Sequence, residues 1–74
     1  MENKYKHVLS SNGRWVIKEE GNENFFFIYD TKEEAVYRAM EIARRERSDL
    51  FVHTQQGKVE FRRSYENDQY PANW

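Results

Sequence analysis

The two histidines, His7 and His53, are the residues best suited to chemistry in this 74-residue chain. As a pair they could bind a metal ion or pass a proton, because imidazole changes charge near neutral pH and is a common metal ligand. The spacing supplies no third ligand, and the sequence contains neither an H-E-x-x-H motif nor a calcium-loop pattern. The sequence therefore predicts ordinary strand histidines, no metal site and no cofactor.

Nucleophilic catalysis has no support from the sequence either. The serines are Ser10, Ser11, Ser48 and Ser64. None lies in the strand-to-helix turn that exposes a catalytic hydroxyl, and turns account for all three glycines, so no glycine-rich loop cradles a phosphate. We expect no catalytic residue and no enzymatic activity. An enzyme that uses His7 or His53 stays an alternative, and it would require the two rings to lie close together in space.

Arginines beside aromatic rings suggest a different chemistry, in which cations hold phosphates while bases stack on the rings. Twelve Lys and Arg against thirteen Asp and Glu give a net charge of −1, which weakens the case for nucleic acid. Cations at a helix end or on an exposed strand also have ordinary structural explanations. Nucleic-acid binding through the five arginines at residues 44–47 and 62–63 and an aromatic sheet face is therefore an alternative. The candidate residues for binding of any kind are Trp15, Arg44, Arg45, Arg47, His53, Phe61, Arg62 and Arg63.

Three strands are predicted to carry the first part of the chain. Residues 5–10 and 14–19 flank Ser11-Asn12-Gly13, and Asn-Gly between apolar runs is a strong hairpin signal. A polar loop at 20–24 leads into a third strand at 25–29, which is apolar on both faces and so is expected to be central in the sheet or covered on both sides.

A helix follows, and its start is marked by a capping box, Thr31-Lys-Glu-Glu34. At helical spacing one apolar stripe faces the core, and Ser48-Asp49 ends the helix. The stripe consists of Ala35, Val36, Ala39, Met40, Ile42 and Ala43.

Two further strands are predicted at 50–54 and 58–63, the last with Val59 and Phe61 pointing inward. We therefore expect one α+β domain over residues 1–74, with the order β-β-β-α-β-β, an antiparallel sheet and one helix packed on one face. Residues 64–74 form an aromatic tail that is predicted to pack on the domain.

One helix cannot cover all the apolar residues of these strands, and a monomer rarely exposes a large contiguous apolar patch. Three occupants of the second sheet face are considered. The tail folds back over it with Tyr65, Tyr70 and Trp74, or a second copy of the chain covers it in a homodimer, or a ligand or nucleic acid binds there.

The composition of the chain excludes several further classes of site and of protein. The chain has no cysteine, which excludes disulfides and thiolate metal sites. It has no apolar run long enough to span a bilayer, and its first residues lack the apolar core of a signal peptide. We expect a soluble cytoplasmic protein with no membrane partner.

Five short segments occur in a characteristic order. They are His7-Val8, Trp15-x-x-Lys18 with Glu20-Gly21, Thr31-Lys-x-Glu34-Ala35, Val52-His53 with Gly57-Lys-Val59, and Ser64-Tyr65-x-Asn67-Asp68. Together they resemble small bacterial and phage domains of unknown function that read H-V-x-P, W-x-V-K-x-E-G, T-K-x-E-A, I-H-x-x-D-G-x-I and S-Y-G-N-D-P. This chain departs from that pattern at Ser10, Ile17, Glu66 and Gln69. The resemblance implies a compact α+β domain that includes the tail, and it implies no activity.

The sequence therefore predicts a non-enzymatic binding or accessory module of a bacterial cytoplasm or a phage, acting through a surface. Its partner is an unknown protein or a second copy in a homodimer, and nucleic acid is the alternative.

Overall fold

A computed structural model describes residues 5–65, except for the side chains of residues 23–26. The elements follow the predicted α+β order: β1 (Lys6–Ser11), β2 (Arg14–Glu19), β3 (Asn22–Tyr29), α1 (Lys32–Glu46), β4 (Asp49–His53) and β5 (Val59–Ser64). The expected packing of Tyr70 and Trp74 lies outside the described residues.

The five strands form one mixed sheet in the order β3-β2-β1-β4-β5. Three neighbouring pairs are antiparallel, whereas β1 and β4 are parallel and align Lys6 with Leu50 and Val8 with Val52. The expected antiparallel sheet is thus wrong, and the strands do not lie side by side in chain order. The reason is that α1 carries the chain back across the sheet, so that β4 enters beside β1 in the same direction, as a crossover connection permits.

The hairpin between β1 and β2 confirms its sequence signal. Asn12 and Gly13 have φ angles of 52° and 80°, the two positive values that a type I′ turn requires. Ser11 and Arg14 pair directly beside this turn. The hairpin therefore fixes which residues of β1 and β2 share a face.

The helix begins where the capping box predicts, because the Thr31 hydroxyl accepts a hydrogen bond of 3.2 Å from the backbone N–H of Glu34. Small side chains let α1 sit close on the sheet, and three of its alanines are fully buried. The core between helix and sheet consists of Val8, Ile17, Ala35, Ala39, Ala43, Leu50, Val52 and Tyr65.

Two burial predictions are wrong at the β5 side of the sheet. Val59 and Phe61 were expected to point inward, but they are 56% and 41% exposed because β5 is an edge strand whose six residues are all exposed. Tyr65 was expected among the rings covering the second face. It is instead part of the core beside the helix alanines, and its N–H donates to the Ser48 carbonyl at 3.3 Å.

A lysine side chain is fully buried beneath the last turn of the helix. The Nζ of Lys6 donates to Glu46 Oε1 at 2.8 Å and lies 3.7 Å from Glu19 Oε1. Because Glu46 belongs to α1 and Glu19 to β2, this ammonium ties three elements together. Burial of a charge is tolerated only where such partners offset its lost hydration.

Arg47 caps the end of the helix, and its φ of 55° and ψ of 47° place it in the left-handed region. A side chain costs roughly 1–2 kcal/mol in that conformation, and glycine avoids the cost. We expect Arg47→Gly to be more stable than Arg47→Ala by about 1 kcal/mol, measured by urea denaturation. The same two substitutions at Arg45, inside the last helical turn, should give the reverse order, with glycine worse by about 0.5–1 kcal/mol. Equal stabilities for the two Arg47 variants would contradict the prediction.

Candidate functional site

The sheet has a face that the helix does not cover, here named the open face. Successive residues of a strand point to opposite faces of the sheet. The core residues Val8, Ile17, Leu50 and Val52 point toward the helix, so the residues next to them in each strand lie on the open face. The described side chains on the open face include Tyr5, His7, Leu9, Val16, Lys18, Ile28, Phe51, His53, Val59 and Arg62. This surface brings residues from all five strands into one layer.

The two histidines meet at the centre of this face. His7 on β1 lies opposite Phe51 on β4, so His53 is its diagonal neighbour two residues further along β4. His7 Nδ1 and His53 Nε2 are 3.0 Å apart. The structure therefore supplies the proximity that any shared chemistry of the two rings requires.

The outer nitrogens of both rings also have partners. His7 Nε2 lies 3.1 Å from Oε1 of Glu20, in the turn between β2 and β3. His53 Nδ1 lies 3.3 Å from the backbone carbonyl oxygen of Gly57, in the turn between β4 and β5. The result is a continuous chain of polar contacts across the sheet, from a carboxylate through two imidazoles to a carbonyl.

Ring packing holds His7 in place. Its ring stacks on Phe51, with centroids 5.2 Å apart and planes inclined by 16°. Tyr5 meets the same phenyl ring edge-on at 5.4 Å. The guanidinium of Arg62 lies 5.4 Å from the Phe51 centroid on its other flank. Phe51 is thus the hub of an aromatic cluster that spans β1, β4 and β5.

A buried carboxylate orients Arg62. Asp49 is almost fully buried and accepts hydrogen bonds from Arg62 Nη2 at 2.5 Å and from the Ser64 hydroxyl at 2.8 Å. Charge-assisted bonds of this length fix the geometry of both partners. Arg62 is therefore held over Phe51, and its charge is balanced by Asp49.

A groove of about 440 Å³ lies beside His7, at the turn between β2 and β3. Its lining residues are His7, Leu9, Lys18, Glu19, Glu20, Gly21 and Asn22. The two carboxylates counter the charge of Lys18, so the groove does not concentrate positive charge for an anionic ligand.

The eight residues proposed from sequence for binding do not form one surface. His53 and Arg62 share the open face, whereas Trp15 packs against the core on the helix side, with Lys32 Nζ 5.3 Å from its ring. The others lie on the helix side of β5 or at the end of α1. They are Phe61 and Arg63 on β5, and Arg44, Arg45 and Arg47 at the helix end.

Sequence reasoning missed Glu20, Phe51 and Asp49. Glu20 appeared to be an ordinary loop residue, Phe51 one of many apolar strand residues, and Asp49 part of a helix stop. The parallel pairing of β1 with β4 places Phe51 beside His7, and the pairing of β1 with β2 brings Glu20 to the same ring. The pairing of β4 with β5 places Asp49 beside Ser64 and Arg62. The one signal in the sequence was the presence of a histidine on each of two predicted strands.

Comparison with known proteins assigns this domain to a family. Residues 6–65 match a family described as an uncharacterised protein conserved in bacteria, designated DUF2188. The chain belongs to the DUF2188 family. The match runs from β1 to the residue after β5, so the whole sheet with its open face is part of the DUF2188 domain.

A relative from Bacillus subtilis (strain 168) supports this membership. The uncharacterised protein YdaT is 40% identical over 58 residues, which cover 78% of this chain and 39% of YdaT. The DUF2188 chain thus spans about two fifths of the length of that relative. No solved structure matches it. These comparisons establish membership of a bacterial domain family, and they indicate no activity.

The described part of this DUF2188 domain lacks two kinds of feature. Between residues 5 and 65, no helix has the length and apolar character needed to cross a membrane. Over the same residues, no three His, Asp or Glu side chains converge as a set of metal ligands.

Proposed function

We propose that this chain is a non-enzymatic binding module, that the open face is its binding surface, and that the occupant is a second copy of the chain. The observation that carries the proposal is the apolar exposure of this face. Tyr5 and Ile28 are 42% and 51% exposed there, Leu9 is half-buried, and Val16 is 8% exposed. Exposed apolar and aromatic side chains on one sheet face are typical of a surface that another protein covers.

The charged residues of the open face favour a partner of balanced charge. Arg62 is paired with Asp49, and Arg14 on β2 lies 3.6 Å from Asp30. Nucleic-acid binding instead draws its affinity from cations that neutralise phosphates. A second copy brings the same balanced pairs, and the net charge of −1 gives two copies little mutual repulsion.

The arrangement of the histidines supports a role in binding rather than catalysis. All four ring nitrogens of His7 and His53 have a polar partner within the protein. A general base needs a ring nitrogen within reach of the proton that it removes from a substrate. In this pair the nitrogens are engaged with each other, with Glu20 and with Gly57.

The size of the face sets the expected strength of the dimer. Five strands about 4.8 Å apart and roughly six residues long make a face of about 480 Å², so two copies bury about 1,000 Å². Stable interfaces begin near that total area. We therefore expect a reversible dimer with a dissociation constant on the order of 10 µM.

Sedimentation equilibrium of the full chain and two matched variants tests this proposal. Ile28→Glu places a charge on the open face and should weaken dimerisation at least about tenfold, because each 1.4 kcal/mol lost changes the constant by that factor. Tyr37→Glu makes the corresponding change on α1, where Tyr37 is 65% exposed, and should leave dimerisation unchanged.

Two results would overturn the proposal. One is a wild-type chain that stays monomeric at roughly 1 mM, a hundred times the expected constant. The other is equal weakening by both variants, which would place the interface elsewhere. Binding of single-stranded DNA or RNA to a monomer, with an affinity that falls as salt is added, would assign the open face to nucleic acid instead.

A further inference from the structure

The helix leaves part of its own side of the sheet uncovered. Among the described residues, the backbone of α1 comes close to β1, β2, β3 and β4 but not to β5. On β5, Phe61 and Arg63 lie opposite core residues of β4, so their side chains point to the helix side, and both are exposed. The described residues therefore leave a strip between α1 and β5 that a further segment of chain can occupy.

One flank of α1 forms a wall of this strip. Three residues share that flank because they follow one another at a spacing of four: Val36, Met40 and Arg44. The opposite flank carries Arg38, whose pKa is raised by its hydrogen bond to Glu41 and also by Tyr29 of β3. Since β3 and β5 are the two edges of the sheet, the flank with Met40 faces β5.

These side chains form a trough, here named the helix-side trough, which consists of Val36, Met40, Arg44, Phe61 and Arg63. Val36 and Met40 are half-buried against the core, and Phe61 is 41% exposed, so apolar surface lines the trough. Arg44 and Arg63 add two guanidinium groups at one end of it, because the last residues of β5 pair with the first residues after the helix. Such a surface favours an occupant with carboxylates and an aromatic ring.

The chain itself reaches this end of the trough at Tyr65. Tyr65 directly follows β5, packs in the core beside the helix alanines, and donates its N–H to the Ser48 carbonyl oxygen at 3.3 Å. The Arg63 guanidinium lies 5.7 Å from the centre of the tyrosine ring. The chain after Tyr65 therefore starts between α1 and β5, on the side of the sheet away from the open face.

Beyond the proposed dimer, and independently of it, we infer that residues 66–70 bind in the helix-side trough of their own chain. Their sequence complements the trough, since Glu66, Asp68 and Tyr70 alternate with two amide side chains. In an extended segment, alternate side chains share one side, so both carboxylates and the ring face the same way. The carboxylates then lie against the two guanidinium groups, and the ring covers Phe61.

The length of the segment fits this placement. An extended chain advances about 3.3 Å per residue, so Tyr70 is at most about 17 Å from Tyr65, and Phe61 lies about 13 Å from Tyr65 along β5. Tyr70 therefore comes level with Phe61 when the segment runs back along the strand. Attachment to the same chain raises the effective concentration of the segment at the trough into the millimolar range, so weak contacts suffice to hold it.

NOEs between side-chain protons of the full chain test this placement. We expect NOEs from the ring of Tyr70 to the methyl group of Met40 and to the ring of Phe61, and none to Leu9 or Ile28 on the open face. A mixture of isotope-labelled and unlabelled chains separates contacts within one chain from contacts between two chains. The Ile28→Glu variant should keep the Tyr70 NOEs, which separates this placement from dimerisation.

Two arginines in the last turn of α1 provide a matched pair of variants. Arg44→Gln and Arg45→Gln remove the same charge from the same end of the helix dipole, but only Arg44 belongs to the trough. Arg44→Gln should lower the intensity of the NOEs between Tyr70 and Met40 about twofold, as loss of an exposed ion pair predicts, whereas Arg45→Gln should leave it unchanged. Asp68→Arg reverses one charge of the segment and should abolish these NOEs, because like charges repel each other in the trough.

Three results from the wild-type chain would overturn the inference. The first is the absence of NOEs from Tyr70 to the trough, the second is NOEs to Leu9 or Ile28 instead, and the third is NOEs that arise only between different chains. Equal effects of Arg44→Gln and Arg45→Gln would also contradict it. Circular dichroism shows whether each variant is folded, and the wild-type spectra decide the question even if a variant is not.

Discussion

Replacement of Leu50 with alanine is expected to lower the free energy of unfolding by about 2–5 kcal/mol. Leu50 is fully buried on β4, between β1 and β5, and belongs to the core beneath the helix alanines. Its truncation removes buried apolar surface and leaves a cavity, because neighbouring strands restrict collapse of the site. A domain of this size has a total stability of only roughly 3–5 kcal/mol, so the variant should be largely unfolded at 37 °C.

Thermal and urea denaturation followed by circular dichroism measure this loss. Val59→Ala is the matched control, since Val59 is also an aliphatic strand residue but lies exposed on β5. It should cost no more than about 0.5 kcal/mol. A Leu50→Ala variant that is as stable as Val59→Ala would show that the core is not where the structure places it.

Loss of the buried ammonium is the second large effect. Lys6→Ala is expected to cost about 2–4 kcal/mol, because it leaves the mostly buried Glu19 without its cation and empties the space of the lysine stem. The expected cost is smaller than for a fully buried ion pair, because Glu46 is half exposed and water can hydrate its carboxylate when the lysine is removed.

Lys6→Met separates charge from packing, because methionine keeps most of the stem without the ammonium. It should fall between the wild type and Lys6→Ala in urea denaturation. Lys58→Ala, at an exposed lysine in the turn before β5, should change stability by less than about 0.5 kcal/mol. If Lys6→Ala proved as mild as Lys58→Ala, the buried ion pair would contribute nothing to stability.

Local features of the fold could be predicted because their causes lie within a few residues. Asn12-Gly13 determines a turn through backbone angles that few residues adopt, and Thr31 caps a helix through an N–H three residues away. The alanine stripe identified the buried side of α1 by helical spacing alone. None of these features depends on a distant part of the chain.

The neighbours of each strand could not be predicted in this way. Alternation shows which residues share a face, but it does not show which strand lies beside which. Alternation therefore missed the parallel pairing of β1 with β4. It also missed that β3 and β5 are the two edge strands, where Ile28 and Phe61 are exposed, so the expectation that the third strand is central or covered on both sides was wrong. The meeting of His7 with His53 follows from the same long-range pairing.

The end of α1 was also placed inaccurately from the sequence. The sequence placed a stop at Ser48-Asp49, whereas the helix ends at Glu46 with Arg47 in the left-handed conformation. Glycine is the usual residue there, so arginine gave no signal. Asp49 turned out to be a buried acceptor for Arg62, which only the antiparallel pairing of β4 with β5 makes possible.

The parallel pairing of β1 with β4 also divides the chain into two units that can form from local contacts. Tight turns connect β1, β2 and β3 into a meander, and β4 and β5 form a hairpin. The junction aligns Lys6 with Leu50, so it closes a long loop, and contacts of that kind slow folding. We expect this junction to form late and to limit the folding rate. His7 and His53 lie on opposite sides of it, so the contact between their rings can form only after β1 and β4 have paired.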